Sequence, residues 1–166
     1  MSFLVSSYAV LGVLLLLSSA IYRLLPMALE PLSGTLEPVH LFAYASSVLF
    51  FAYSEGYRGF QKQFSPRVVA RALIVARQKR MLSWLLAPPV AMGLLHATKK
   101  RLIISWSITL GVIVLILLMR MLAQPWRGII DAGVVVGLSW GAVAILVFWI
   151  RSLAGSPPSI EPEFPG

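Results

Sequence analysis

The sequence predicts an all-α integral membrane protein, a four-helix bundle with a basic segment between its second and third transmembrane helices. Hydrophobic residues make up 58% of the 166 residues and charged residues 12%, against roughly 45–50% and about 25% in soluble domains. A soluble fold of this length could not bury so much apolar surface. Four apolar stretches are also long enough to cross a hydrocarbon layer about 30 Å thick. Residues 1–151 are therefore expected to form one membrane domain.

The first predicted span covers residues 3–22, within a stretch that carries no charge as far as Tyr22. A secretory signal peptide is the alternative, because Ser18-Ser19-Ala20 resembles a cleavage site of small residues. The lack of Lys or Arg before the apolar run favours a retained helix. Prolines at positions 26, 31 and 38 then predict an irregular loop.

The remaining spans are predicted at residues 38–57, 102–122 and 129–150. The second ends in aromatic residues suited to a membrane interface, and the fourth has Trp126 and Trp149 at its two ends. Residues 152–166 are rich in proline and acidic, which predicts a disordered tail.

Residues 58–101 are predicted to be cytoplasmic or interfacial. Ser65-Pro66 has the pattern of a helix start, with an N-cap followed by proline at the first helical position. The helix that follows is amphipathic, because Val68, Val69, Ala72, Leu73, Val75 and Ala76 share one face and Arg67, Arg71, Arg77 and Gln78 lie roughly opposite.

Residues 81–98 are uncharged and long enough to cross a membrane, but Pro88-Pro89 interrupts them. If they do not cross, eleven of the 14 Lys and Arg residues lie on one side. If they cross, the division is nine to five. The more uneven division agrees better with the positive-inside rule. A re-entrant or interfacial segment is therefore favoured over a fifth span.

The net charge of +8 is attributed to the same rule rather than to nucleic acid, because no basic face with interleaved aromatic residues is evident. The prediction is a multi-pass protein of the plasma or inner membrane with both termini in the cytoplasm. Its expected partners are membrane lipids, above all anionic headgroups, and other membrane subunits or further copies of itself.

The sequence offers no basis for a catalytic, cofactor-binding or metal-binding site. It has no cysteine, which excludes disulfides, thiolate metal sites and iron–sulfur clusters. No nucleophile elbow, zinc-protease motif or phosphate-binding loop occurs. His40 and His96 are the only histidines, and their expected positions near opposite faces argue against a shared haem.

The segment around residue 57 combines Gly, Tyr, Arg and Gln more densely than a simple loop requires, and it is the first candidate for docking or headgroup binding. Glu55 is expected to end the second helix at the inner face, with Arg58 as its partner. The candidate docking or headgroup residues are Tyr53, Glu55, Tyr57, Arg58, Arg67, Arg71, Arg77, Lys79 and Arg80.

Asp131 is the candidate intramembrane acid. Arg127 precedes it by four residues, so a structural ion pair is favoured over a proton or ion site. Because Asp131 is expected near the outer face and Glu55 near the inner one, the two cannot serve as one acid–base pair.

Gly133, Gly137 and Gly141 form two overlapping GxxxG motifs in the last span. Such a ridge lets another helix approach closely. Packing within the chain is favoured over contact with a partner, although both interpretations stay open.

Three functions follow. The favoured one is a non-catalytic accessory, scaffolding or assembly subunit of a larger membrane complex, with a basic cytoplasmic face for anionic lipid or a partner. The alternative is a small oligomeric transporter or channel that uses the broken segment 81–98. A membrane enzyme acting on lipid or quinone is less favoured, because few polar groups could converge.

Overall fold

A computed structural model describes residues 2–77, 86–95 and 99–160, and within these ranges every regular element is helical. Lys79, Arg80 and His96 lie outside the described residues. The elements are α1 (Ser2–Leu29), a 3-10 turn (Glu30–Ser33), α2 (Pro38–Phe51), a π-helix (Ala52–Phe64), α3 (Ser65–Arg77), α4 (Ala87–Ala91), α5 (Lys99–Met119) and α6 (Trp126–Leu153).

Three stretches of the described residues are long and apolar enough to cross a membrane: Phe3–Ser33, Leu102–Met119 and Trp126–Leu153. The protein is thus an all-helical membrane protein, as its composition predicts. The first stretch is longer than predicted, because α1 continues through Pro26 to Leu29 instead of breaking at that proline.

Helices α1 and α6 pack against each other and run in opposite directions. At one end the rings of Phe3 and Trp149 stack with centroids 6.3 Å apart. At the other end a Cβ on Gly128 would overlap Pro31 and the carbonyl oxygen of Met27. The beginning of α1 and the end of α6 therefore lie at the same end of the bundle, which we call the terminal end.

The chain from Pro38 to Arg77 is continuously helical, contrary to the predicted break after residue 57. The residues at the two junctions, Ala52 and Ser65, both have right-handed helical backbone angles. Ser65 does not cap a new helix; its hydroxyl donates to the carbonyl oxygen of Gly141 at 3.2 Å. The Ser-Pro pair therefore lies inside a helix, where a contact with α6 occupies the serine.

The 13 residues of Ala52–Phe64 have π-helical hydrogen bonding, in which an N–H donates to the carbonyl five residues earlier, as Ser65 does to Phe60. Such helices are rare and mostly limited to a single turn. The wider turn brings residues five apart onto the same face. The Nζ atom of Lys62, for example, lies 4.5 Å from the centroid of the Tyr57 ring.

The glycine ridge of α6, Gly133, Gly137 and Gly141, faces α2 and the π-helix. A Cβ on Gly133 would lie 2.5 Å from Cδ2 of Phe51, and one on Gly137 would lie 3.2 Å from Cβ of Glu55. A Cβ on Gly141 would overlap the ring of Phe60. Side chains of the same chain thus fill the space beside all three glycines.

The described part of the predicted re-entrant stretch, residues 86–95, contains the single short helix α4. It packs against α1 and α3 near the terminal end. A Cβ on Gly12 would lie 2.5 Å from Cγ of Pro88, so this proline fits against a bare stretch of α1. The largest buried cluster consists of Ala9, Val10, Val13, Val68, Val69, Ala72, Val75, Ala87, Val90, Ala91 and Ile145.

Helix α5 hardly packs on the rest of the chain. Only 6% of its apolar window is buried, against 28% for the first candidate span and 33% for α6. Ser105, near its beginning, is its one buried residue among those whose side chains are described.

The first part of the predicted disordered tail is ordered in the described structure. Helix α6 continues to Leu153, and residues 156–160 lie against the π-helix and the end of α6, where they line a cavity. The composition of the tail does not reveal this contact, because the π-helix and α6 supply it.

We expect Gly133→Ala to lower the free energy of unfolding by about 1–3 kcal/mol, because the new methyl group would overlap Phe51 and Ser47 in a packed contact. Gly111→Ala is the matched control, since nothing lies within 4 Å of its Cβ position. Unfolding in mixed detergent micelles measures both. Equal stability of the two variants would contradict the packed ridge.

Candidate functional site

The polar π-helix lies alongside the apolar middle of α6 rather than beyond its end. Glu55 is half-buried, and its Oε2 would be 3.4 Å from a Cβ on Gly137. Among the described residues Glu55 has no ion pair, and Arg58, its expected partner, is exposed. The prediction that Glu55 marks the end of the second helix is therefore wrong.

The same geometry corrects the expected separation of the two acids. Gly137 follows Asp131 by six residues on one helix, which is about 9 Å along the axis. Since Glu55 lies beside Gly137, the two carboxylates are not at opposite ends of α6. The sequence pattern indicates a helix end near residue 57, whereas the helix continues to Arg77 and carries Glu55 alongside α6.

Asp131 is 4% exposed, and its Oδ2 lies 3.6 Å from Nε of Arg127. The spacing of four residues places both groups on one face of α6. The distance is that of an ion pair without a hydrogen bond, and neither of these two atoms has a hydrogen-bonding partner among the residues that the structure describes. A buried pair of this kind neutralises the carboxylate locally.

Two further contacts hold the π-helix against α6. The indole N–H of Trp140 donates to Oε1 of Gln61 at 2.7 Å. A Cβ on Gly56, five residues before Gln61, would lie 3.0 Å from Cβ of the same tryptophan. Tyr53 and Tyr57 stack with ring centroids 6.0 Å apart, and Tyr53 is exposed.

Arg71 does not lie on an exposed polar face, as the helical wheel predicts. It is 1% exposed, and its Nη1 donates to the carbonyl oxygen of Val90 in α4 at 3.3 Å. The predicted exposure of Arg71 is wrong because α4 covers this side of α3. The periodicity of the sequence does not reveal that contact. Arg77 is exposed as expected, whereas Arg67 is half-buried and its Nε has no hydrogen-bonding partner within the described ranges.

The Arg71 side chain meets the chain segment after α4 at Gly93. This glycine has φ of +78°, and a Cβ there would lie 3.2 Å from Nη1 of Arg71 and 3.4 Å from Oγ of Ser105. Both the backbone conformation and the space therefore favour glycine. This junction joins α3, the segment after α4 and the beginning of α5.

His40 packs edge-on against Trp126 with ring centroids 5.2 Å apart, and its Nδ1 lies 3.9 Å from the Glu37 carboxylate. Across the described parts of the chain, no group of three His, Cys, Asp or Glu residues is placed to hold a metal ion.

Two open cavities of about 450 Å³ lie at opposite ends of the bundle. The first, at the α1–α2 loop, is lined by Glu30, Glu37 and His40 among others. The second, at the terminal end, is lined by Lys62 and Arg151 and by the tail. The two cavities therefore differ in the sign of their charge.

Comparisons of the chain with protein-family models, with curated proteins and with solved structures find no match. The class that the fold defines is an all-helical membrane protein. Its function must therefore be argued from the contacts described above.

We expect Arg71→Met to loosen α4, because the carbonyl of Val90 would lose its buried donor, at a cost of about 1–3 kcal/mol. Hydrogen exchange followed by mass spectrometry should then show faster exchange across residues 86–95. Arg77→Met removes the same charge from an exposed position and should leave exchange there unchanged. Equal protection in both variants would contradict the anchoring role of Arg71.

Proposed function

We propose that the protein is a non-catalytic accessory, scaffolding or assembly subunit of a larger membrane complex, with a basic cytoplasmic face for anionic lipid. The observation that carries the proposal is the isolation of α5. Its apolar window is 6% buried, whereas the other two candidate spans bury several times as much. A span whose apolar surface is so little covered by the described part of its own chain is available to a partner.

The surface of α5 suits close helix contact. Ser107 and Gly111 are exposed, four residues apart, and nothing lies within 4 Å of the Cβ position of Gly111. Small residues at this spacing let two helix backbones approach in lipid. The glycines of α6 are filled from within the chain, so the unfilled small face of α5 is the better candidate for a partner.

The proposed topology has four spans with residues 38–57 in the second. Because Glu55 and Phe60 contact the middle of α6, we place the end of this crossing beyond residue 57. Support for cytoplasmic termini comes from Lys62 and Arg151 at the terminal end, together with the excess of Lys and Arg between residues 58 and 101.

Residues 81–98 are proposed to enter from that same side without crossing. The support is the short helix α4, which packs against the first half of α1. Pro88 lies buried against Gly12 instead of lining either described cavity. This packing favours a structural role for the segment over the transport role considered from the sequence.

A partner complex should depend on the small face of α5. We expect the protein, purified gently in nanodiscs, to carry a stoichiometric partner that mass spectrometry identifies. Gly111→Leu should reduce the recovered partner at least tenfold, because the added side chain would hold the helices apart. Unchanged recovery with Gly111→Leu would contradict this interface.

The matched control is Ile113→Phe, which adds bulk about 200° away on the same helix. It should retain the partner and the thermal stability of the native chain. A homo-oligomer without any partner would count against the subunit proposal and favour transport.

One observation favours a transporter or channel as the second candidate: Glu55 lies beside the apolar middle of α6. Ionisable groups at such depth commonly mark ion or proton pathways. The rare π-helix around it is a further feature that recurs at functional sites.

If this second function holds, Glu55→Gln should abolish proton or cation flux into liposomes loaded with a pH- or cation-sensitive dye. Glu37→Gln removes an exposed carboxylate in the loop between α1 and α2, at the end of the bundle opposite the terminal end. This variant should not change the flux. Absence of flux in the native protein would eliminate this candidate.

A further inference from the structure

The end of α6 turns the chain back toward the π-helix. Gly155 has φ of +88°, the N–H of Ser156 donates to the carbonyl oxygen of Arg151 at 2.9 Å, and that of Gly155 to Ser152 at 3.3 Å. This is the hydrogen-bonding pattern of a Schellman motif, which glycine favours at the left-handed position. The reversal makes residues 156–160 one wall of the cavity at the terminal end.

This cavity is rich in hydrogen-bond donors and positive charge. Lys62 and Arg151 supply two cations, and the Tyr57 ring lies 4.5 Å from the Lys62 ammonium. Gln61 also lines the cavity; its Oε1 accepts from Trp140, and its amide N–H groups are additional donors. Ser156 and Ser159 add hydroxyl groups.

Among the residues that the structure describes, no carboxylate lines this cavity, whose volume is about 450 Å³. The cavity of equal volume at the other end is lined by Glu30 and Glu37 instead. Several donors around two cations, with no acid among the described lining residues, match the acceptor oxygens of a phosphate group. The charge of the first cavity would repel the same group.

The Arg151 end of the cavity lies at the depth of a lipid headgroup, whereas the Gln61 end lies deeper, beside Trp140. Residues 132–150 of α6 are uncharged and about 28 Å long, close to the thickness of a hydrocarbon layer. Arg151 follows directly after this run. An exposed apolar stripe, formed by Trp140, Val143 and Val147, leads along α6 to Arg151 at helical spacing. Acyl chains could lie along this stripe with their headgroup in the cavity.

We infer that this cavity binds the phosphodiester headgroup of an anionic phospholipid, with Lys62 and Arg151 as its cationic ligands and residues 156–160 as its outer wall. The inference rests on the lipid-binding part of the proposed function and names the site. It does not require the partner that α5 is proposed to contact.

The test is native mass spectrometry of the full chain in detergent, titrated with phosphatidylglycerol or with phosphatidylcholine. The first phosphatidylglycerol should bind at least tenfold more tightly than phosphatidylcholine. The double variant Lys62→Gln/Arg151→Gln should weaken that first binding by about tenfold or more, since each cation near a membrane surface contributes to attraction of anionic lipid.

The control is Arg77→Gln/Arg120→Gln, which removes two charges from exposed positions outside the cavity and should change the affinity less than twofold. Lys62→Arg should retain the native affinity, because the charge is preserved. Circular dichroism of each variant checks that it is folded, which is expected because Lys62 and Arg151 are both exposed.

Equal loss in both double variants would overturn the site, because it would show attraction by net charge alone. Equal affinity for the two lipids would also overturn it. Soluble glycerol phosphate should not compete at concentrations that match the lipid; competition there would indicate a site for free phosphate. Selective lipid binding without a recovered partner complex would uphold the site and reject only the subunit proposal.

Discussion

The absence of side chains along one ridge of α6 is the constraint on which the rest of the bundle depends. At Gly128, Met27 and Pro31 occupy the space that a Cβ would need. At Gly133, Gly137 and Gly141, the continuous helix from Pro38 to Arg77 lies in that space. In lipid, helices gain no hydrophobic free energy from contact, so close van der Waals packing has to hold them together. The glycines permit that approach, and through it they bring Glu55, Gln61 and Ser65 against the middle of α6.

The π-helix is the second element of this arrangement, because it sets which residues reach the ridge. Gly56 and Gln61 both contact Trp140, and Phe60 and Ser65 both contact the Gly141 region, so pairs five residues apart act together. In an ordinary α-helix, residues three and four apart share a face. The wide turn therefore keeps one polar segment aligned with a straight row of glycines.

Local patterns in the sequence were sufficient for the features that depend on composition and short spacing. They predicted a helical membrane protein, the close packing along the glycine ridge and the proximity of Arg127 to Asp131. Local patterns gave wrong predictions where a contact with a segment distant in the sequence determines the position of a residue. Ser65-Pro66 has the pattern of a helix start, but its hydroxyl bonds to α6. Arg71 has the spacing of a surface residue, but α4 covers it. The depth of Glu55 depends on a π-helical register that no wheel drawn at 100° per residue represents.

Because the helix from Pro38 to Arg77 is continuous, the direction in which each residue faces around the helix axis depends on all the residues before it. Everything after Phe64 keeps its orientation only because the number of residues between Ala52 and Phe64 fits the wide turns. If one residue were lost there and the wide turns were kept, the following segment would rotate by roughly 80°, somewhat less than the 100° that each residue of an α-helix turns. Ser65 would leave Gly141, and the Arg71 guanidinium would turn away from Val90. The number of residues in this stretch, more than their identity, thus sets the orientation of α3 relative to α2, and with it the contacts of α3 with α6 and α4.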